Sequence, residues 1–335
     1  MRPISYLRPE GTRDGIESAL RAVTTDPGSH FLAGGTTEVD LLRQHVLSPH
    51  RLVDINRLPL AGIEELPDGG LRIGALTRMS EVAAAPAVRR RFPFVARALE
   101  LGASAQLRHM ASMGGNMMQK VRCGYYRDAE SPCNKRLPGS GCPAIGGISR
   151  THAVLGTSEH CIATHPSDVA VPLAALDARV HTRTLDGGHT YDTDAFFLEP
   201  GDTPDREHPL AHGELITAIE VPALPMAERS LYLKVRDRES YEFALVSVAA
   251  AIDVDDEVVK GVRIALGGVG TRPWRARRAE DALTGAPATT QSFDLAARAE
   301  LGAARTTPMN AFKPELARRT LVRALETLTR DGSKR

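Results

Sequence analysis

Four residues in this 335-residue chain could bind a soft metal through sulfur, Cys123, Cys133, Cys142 and Cys161, and they are all its cysteines. Three fall in one irregular segment, RCGYYRDAESPCNKRLPGSGCPA (122–144), and the spacing is Cys-x9-Cys-x8-Cys-x18-Cys. A structural zinc site usually shows a tight Cys-x2–4-Cys knuckle, absent here. Disulfides would need an oxidising compartment, and four cysteines admit three pairings. A four-iron cluster on four thiolates tolerates varied spacing, although this spacing is no ferredoxin signature. Spacing alone leaves a cluster, disulfides and unligated thiols open, with zinc a weaker fourth.

Charge moves the balance toward a cluster. Between 120 and 150, Lys120, Arg122, Arg127, Lys135, Arg136 and Arg150 stand against Asp128 and Glu130, a local +4 in a chain of net +1. A four-iron cluster on four thiolates carries about −2, which a basic loop would offset while raising its reduction potential. The plainer alternative is that these residues face solvent or another subunit. The histidines around the segment, His109, His152, His160 and His165, read as hydrogen-bonding or solvent-facing groups in preference to ligands.

Two glycine turns carry a second kind of chemistry. LAGGTTEVD (32–40) sits between strand-like and helix-like stretches, and MASMGGNMM (110–118) repeats the small-residue pattern. Backbone amides at such turns present donors to an anion such as a pyrophosphate, and glycine lets the backbone approach it. Neither stretch is a Gly-x-Gly-x-x-Gly fingerprint or a Gly-x-x-x-x-Gly-Lys-Ser/Thr loop, so Rossmann and ATP readings lose ground. Two separated turns can hold the two ends of an extended cofactor; two unrelated turns are the plain alternative. Asp168, in HPSD, reads from its local sequence as a helix N-cap. No Ser-His-Asp order or nucleophile elbow stands out. The arginines around Trp274 (Arg272, Arg275, Arg277, Arg278) belong to no nucleic-acid motif.

The elements that must position these groups are ordinary. Apolar residues make up 42% and charged residues 25%, a globular composition with no field that argues for nucleic acid or an anionic membrane. The longest apolar run, FALVSVAAAI (243–252), is too short to span a bilayer, and MRPISYLRPEGTRD lacks the apolar core of a signal peptide. We therefore expect a soluble chain without membrane insertion or an export signal of its own. DGIESALRAV reads as a helix capped by Asp14, and RLVDI, GLRIGAL and ELITAIEVP as strands, with helices in TRMSEVAAA and AVRRRFPFVARALELG. After the joint PALPMAERS, three strands (LYLKVR, FALVSVAAAIDV, VVKGVRIALGGV) precede helical stretches near 276–284, 291–304 and 314–329. Strands followed by helices indicate an α+β domain with helices on one side of an antiparallel sheet. We divide the chain at 1–60, 61–224 and 225–335, with the cysteine loop at 119–165.

FLAGGTTEVDLL, ASMGGNMM, HPSDVAVPLAALDA and LYLKVRDRESYEFALVSVAAA, in this order, resemble the FAD-binding subunit of molybdenum hydroxylases, over essentially the whole chain. The resemblance implies a vanillyl-alcohol-oxidase-type α+β fold of two FAD-binding subdomains plus a C-terminal α+β domain. It implies that Leu32, Ala33, Gly34, Gly35, Thr36, Thr37, Glu38 and Val39 wrap the FAD diphosphate. Ala111, Ser112, Gly115, Asn116 and Met118 would form the second cofactor turn. Asp168, helped by Ser167, would bond the sugar-derived part, with Leu215, Ile216 and Lys234 near the isoalloxazine. The cysteine segment is similar to the subset of bacterial periplasmic aldehyde oxidoreductases in which four cysteines hold a 4Fe–4S cluster within the flavin subunit.

The resemblance further implies a heterotrimer with a large molybdopterin subunit and a small subunit carrying two 2Fe–2S clusters. Those clusters, at four thiolates each, exceed the four cysteines present. Electrons would reach FAD from molybdenum through the 2Fe–2S clusters and leave to an external acceptor, with no side-chain nucleophile or general base needed here. The chain would be periplasmic by co-export with a partner, or cytoplasmic. Two rival readings are a stand-alone FAD oxidase and a zinc-stabilised scaffold without enzymatic activity.

Overall fold

A computed structural model describes residues 3–332. It contains three sheets. The first is parallel, with strand order Ser5–Leu7, Arg51–Asp54, Ser29–Leu32. Helix Arg13–Thr24 packs on it through Ile16, Ala19, Leu20 and Val23, against Val53, Ile55 and Leu58. Thr12, not Asp14, caps this helix, its hydroxyl accepting from the Gly15 amide at 3.2 Å. Asp14 sits in the first turn, where a carboxylate favours the positive end of the helix.

The second sheet is antiparallel, with order Ile63–Glu65, Leu71–Gly74, Leu215–Val221, Arg179–Arg183, Gly188–Asp192. Its core is shared with helices Met79–Ala84, Pro93–Leu101 and Ala170–Ala175. The long excursion from 102 to 169 leaves this sheet, carries the second glycine turn and the cysteine loop, and returns.

The third sheet is antiparallel, with order Trp274–Arg275, Val258–Gly267, Val246–Asp255, Ser230–Val235. Its own helices Arg277–Leu283, Thr290–Leu301 and Lys313–Gly332 cover one face, where Val248, Ala250, Ile264 and Leu266 are buried. The opposite face is covered as well: Tyr232, Ala249, Ala251 and Ala265 join the core of the second sheet. This two-sided burial explains why FALVSVAAAI reads as a continuous apolar run instead of an alternating one.

The sequence-predicted turn at 110–118 is a short helix, Met113–Met117, capped by Ser112, whose hydroxyl accepts from the Gly115 amide at 3.2 Å. Two adjacent glycines hide the helix signal because glycine is a poor helix former.

Candidate cofactor cleft and cysteine pocket

The two glycine turns meet. Ala33–Glu38 and Ala111, Ser112, Gly115, Asn116 and Met118 line one cleft of about 1000 Å³, together with Asp168, Leu215 and Ile216. That volume is at the upper end of the usual range for small-molecule sites. The turns abut directly: a Cβ on Gly34 would stand 2.1 Å from the Met110 carbonyl oxygen and 3.0 Å from the Ala111 Cα. Gly35 has φ +71°, the left-handed region that glycine enters without a Cβ penalty. Among the described residues, the backbone N–H groups of Gly35, Thr36 and Thr37 have no protein partner. A cleft-lining turn with free amides fits the diphosphate of a dinucleotide.

Two residues that the sequence does not advertise lock the turns together. Asn56 donates its side-chain amide to the Ala33 carbonyl at 2.8 Å. Arg78 reaches both sides, donating to Asn56 Oδ1 at 2.9 Å and to the Met110 carbonyl at 2.6 Å. Asn56 is in turn held by Asp54, which Arg8 and Tyr6 bind from outside. Tyr241 and Phe243 also line the cleft, and the Arg122 guanidinium lies 5.2 Å from the Phe243 ring centroid.

Not every sequence-predicted residue is on the wall. Val39 is exposed on the first turn of helix Glu38–Arg43, and Leu32 ends its strand outside the cleft lining. Ser167 donates to Asn116 Oδ1 at 2.5 Å and accepts from the amide of Ala170, the first residue of helix Ala170–Ala175, at 3.1 Å; the N-cap position is Val169, so the cap expected of Asp168 is not formed. Asp168 lines the cleft with both carboxylate oxygens engaged from behind. Lys234 lies behind Asp168, its side chain 1% exposed, bonding Asp168 Oδ2 at 2.8 Å and the Leu101 carbonyl at 3.1 Å. The ammonium expected beside the flavin ring is thus committed to Asp168, which also accepts from Tyr232 at 2.7 Å. Burial pushes the Asp168 carboxyl up, and Lys234 and Tyr232 oppose that push.

The four cysteines, spread over 39 positions of sequence, line one pocket together with His152, His160, Tyr125 and Lys135. All four are free thiols. Among the described residues, no three His, Cys, Asp or Glu side chains are placed to hold one ion. Nearby backbone amides of Tyr125 and Tyr126 favour the thiolate form of Cys123, and those of Ala144, Ile145 and Ile162 that of Cys142, against the larger effect of burial. The Ala163 amide donates to Cys161 at 3.5 Å. Burial pushes the Cys123 thiol up to about 11 and raises Cys142 and Cys161. Thiolates here would need a cationic metal centre to stabilise them. Four thiols lining one pocket, with N–H donors close to their sulfurs, fit an iron–sulfur cluster, whose potential such donors tune.

The basic character of the loop is largely neutralised from elsewhere. Arg122 and Arg127 pair with Asp40, Lys120 and Lys135 with Glu207, and Arg150 with Asp237. Arg136 bonds the carbonyls of Asp128 and Ser131. The local +4 therefore falls to about +1 once these three carboxylates are counted, a weaker counter-charge than the sequence suggests. Arg272, Arg275 and Arg277 are paired too, with Asp177, Asp194, Glu199 and Glu280. Of the four histidines, His152 is buried and His165 half-buried, and desolvation pulls their pKa values down, to about 4 and about 3.

Comparison with known proteins agrees with this geometry. Residues 2–224 match the family of FAD binding domains in molybdopterin dehydrogenases, and residues 231–328 match the CO dehydrogenase flavoprotein C-terminal domain. The chain is 46% identical to the aldehyde oxidoreductase FAD-binding subunit PaoB of Escherichia coli K12, over 97% of this chain and 98% of that one. It is 27% identical to the glyceraldehyde dehydrogenase medium chain of Sulfolobus acidocaldarius, over 84% and 81% of the two chains. In fold it superposes on a chain of quinoline 2-oxidoreductase from Pseudomonas putida 86 with a TM-score of 0.74 at 20% identity, covering 98% of each. A chain of carbon monoxide dehydrogenase from Hydrogenophaga pseudoflava gives 0.73 at 23%, with the same coverage. No helix among the described residues is long and apolar enough to cross a membrane. With both domains matched in order and nearly half of all positions shared with one such subunit, the chain belongs to the FAD-binding medium subunits of the molybdenum hydroxylases.

Proposed function

We propose that this chain is the FAD- and 4Fe–4S-carrying electron-transfer subunit of a heterotrimeric aldehyde oxidoreductase. The observation that carries it is the placement of all four cysteines around one pocket, beside a cleft in which both glycine turns meet. The identity to an aldehyde oxidoreductase subunit over nearly the full length supports the substrate class. FAD held in the cleft would supply the redox chemistry, linking electrons from the molybdenum and 2Fe–2S subunits to an external acceptor.

The residues of this chain bind and orient. The amides of Gly35, Thr36 and Thr37 would hold the diphosphate, Ser112, Gly115 and Asn116 would form the facing turn, and Leu215 and Ile216 would pack near the ring. Asp168 would bond the sugar-derived portion, with Lys234 and Tyr232 holding its carboxylate in place. Cys123, Cys133, Cys142 and Cys161 would ligate the cluster. The domain limits 1–60, 61–224 and 225–335 follow the three sheets in this reading.

Because Arg78 spans both turns, Arg78→Met should weaken FAD binding about 10-fold or more. The lost charge-assisted bonds are worth roughly 1.5–3 kcal/mol in such settings. Fluorescence-quench titration of apo protein with FAD checks this, and an unchanged Kd would contradict it.

The assembly itself tests the function. Co-purified with a large molybdenum subunit and a small 2Fe–2S subunit, the flavin should bleach on anaerobic addition of an aldehyde, whereas the isolated chain should stay oxidised. Bleaching in the isolated chain would instead support a stand-alone oxidase. Stoichiometric zinc without flavin would support the scaffold reading.

A further inference from the structure

We infer that His152 is a positioning residue that donates its Nε2–H to Cys123 Sγ and thereby sets the reduction potential of the iron–sulfur cluster. The inference rests on the reading that the four cysteines hold such a cluster. His152 Nε2 lies 3.2 Å from Cys123 Sγ, within the longer range of contacts to sulfur. A metal-bound thiolate accepts and cannot donate, so the ring nitrogen facing it carries the proton. The other ring nitrogen is buried and has no partner among the described residues, which leaves the sulfur as the ring's one hydrogen-bond partner among them.

The imidazole is held there by the C-terminal domain. His152 is 5% exposed, and its amide donates to the Ser149 carbonyl at 3.0 Å. Its carbonyl accepts from Lys313 Nζ at 2.9 Å and from Asn310 Nδ2 at 3.5 Å. Lys313 also donates to the carbonyls of Thr151 at 3.0 Å and Gly268 at 2.7 Å, and Asn310 to that of Ala153 at 3.2 Å. Both side chains are fully buried. An ammonium with three carbonyl acceptors uses all of its N–H groups, so Lys313 fixes the backbone on both sides of the peptide that carries His152. Next along the chain, the Ala153 amide donates to the Ile162 carbonyl at 2.9 Å, tying the same segment to the neighbour of Cys161.

Hydrogen bonds to the sulfurs of a cluster stabilise its more negative, reduced form and raise its potential. Among the described residues the His152 contact is the side-chain hydrogen bond to Cys123 Sγ. The His152 bond can be removed without touching a ligand.

The experiment compares wild type, His152→Leu and His152→Gln, purified anaerobically, with iron and sulfide counted before an EPR-monitored redox titration. The expected result is four irons and four sulfides in each and a cluster midpoint shifted negative in His152→Leu. His152→Gln, which keeps an N–H donor, should shift less, and the FAD midpoint should not move. A cluster midpoint equal to wild type in His152→Leu at full iron content would overturn the inference, as would parallel shifts of cluster and flavin. If His152→Leu loses its cluster, His152→Phe, which also removes the donor, decides: a negative shift supports the inference and none overturns it. Wild-type protein without iron would overturn the cluster reading, and the inference with it, through a different sample and a different measurement.

Discussion

Gly34→Ala should cost the chain its FAD: we expect affinity to fall by about 100-fold, close to 3 kcal/mol. The added Cβ would sit 2.1 Å from the Met110 carbonyl oxygen and 2.8 Å from its carbon. Both are backbone atoms, and Arg78 holds that carbonyl from the other side. The clash can be relieved only by separating the two turns, and forced repacking of this kind costs roughly 1–3 kcal/mol even where side chains can yield. Flavin content after gel filtration and Kd by fluorescence quenching measure the effect. Gly146→Ala is the control, since a Cβ there meets nothing within 4 Å and should leave FAD binding unchanged. Full flavin content in Gly34→Ala would contradict the two-turn cradle.

The second large effect concerns Glu207, which joins the two sites. It accepts from Lys120, which lines the cofactor cleft, and pairs at 3.2 Å with Lys135, which lines the cysteine pocket. Burial alone would raise this carboxyl, but the two ammonium groups outweigh it and hold the pKa at about 2. A carboxylate whose folded pKa lies below its ordinary value of 4.5 adds stability that is fully present above that value. The contribution disappears as pH falls toward 2 and amounts to about 3 kcal/mol. Glu207→Gln leaves two lysines without their counter-charge and should lower stability at neutral pH by roughly 3–5 kcal/mol. Urea unfolding of wild type and variant from pH 7 to pH 3 tests this. The gap should be constant above pH 5 and narrow in more acid solution. Equal stability at pH 7 would contradict the account.

What the sequence made legible was local. The glycine turns, the cysteines and the long strands each announce themselves within a dozen residues. The strands that escaped are Ser5–Leu7, Ile63–Glu65, Gly188–Asp192 and Trp274–Arg275, short segments at sheet edges; the first three are largely exposed and show no alternating apolar pattern. The network behind the cleft escaped for another reason. Arg78 meets a carbonyl 32 residues away, and Lys120 a carboxylate 87 residues away, contacts that no spacing rule anticipates. The same holds for the charge of the cysteine loop, whose balancing carboxylates Asp40, Glu207 and Asp237 lie outside it. Lys234 shows what position alone leaves out: its partner. The residue lies next to the site, but a buried ammonium beside a buried carboxylate pairs with that carboxylate first.

The central claim is that one chain cradles both FAD and a four-iron cluster. Iron, acid-labile sulfide, zinc and FAD per chain, measured on anaerobically purified protein, test it most directly. The account predicts close to four irons, four sulfides and one FAD with negligible zinc. Stoichiometric zinc, or intact flavoprotein free of iron and sulfide, would contradict it.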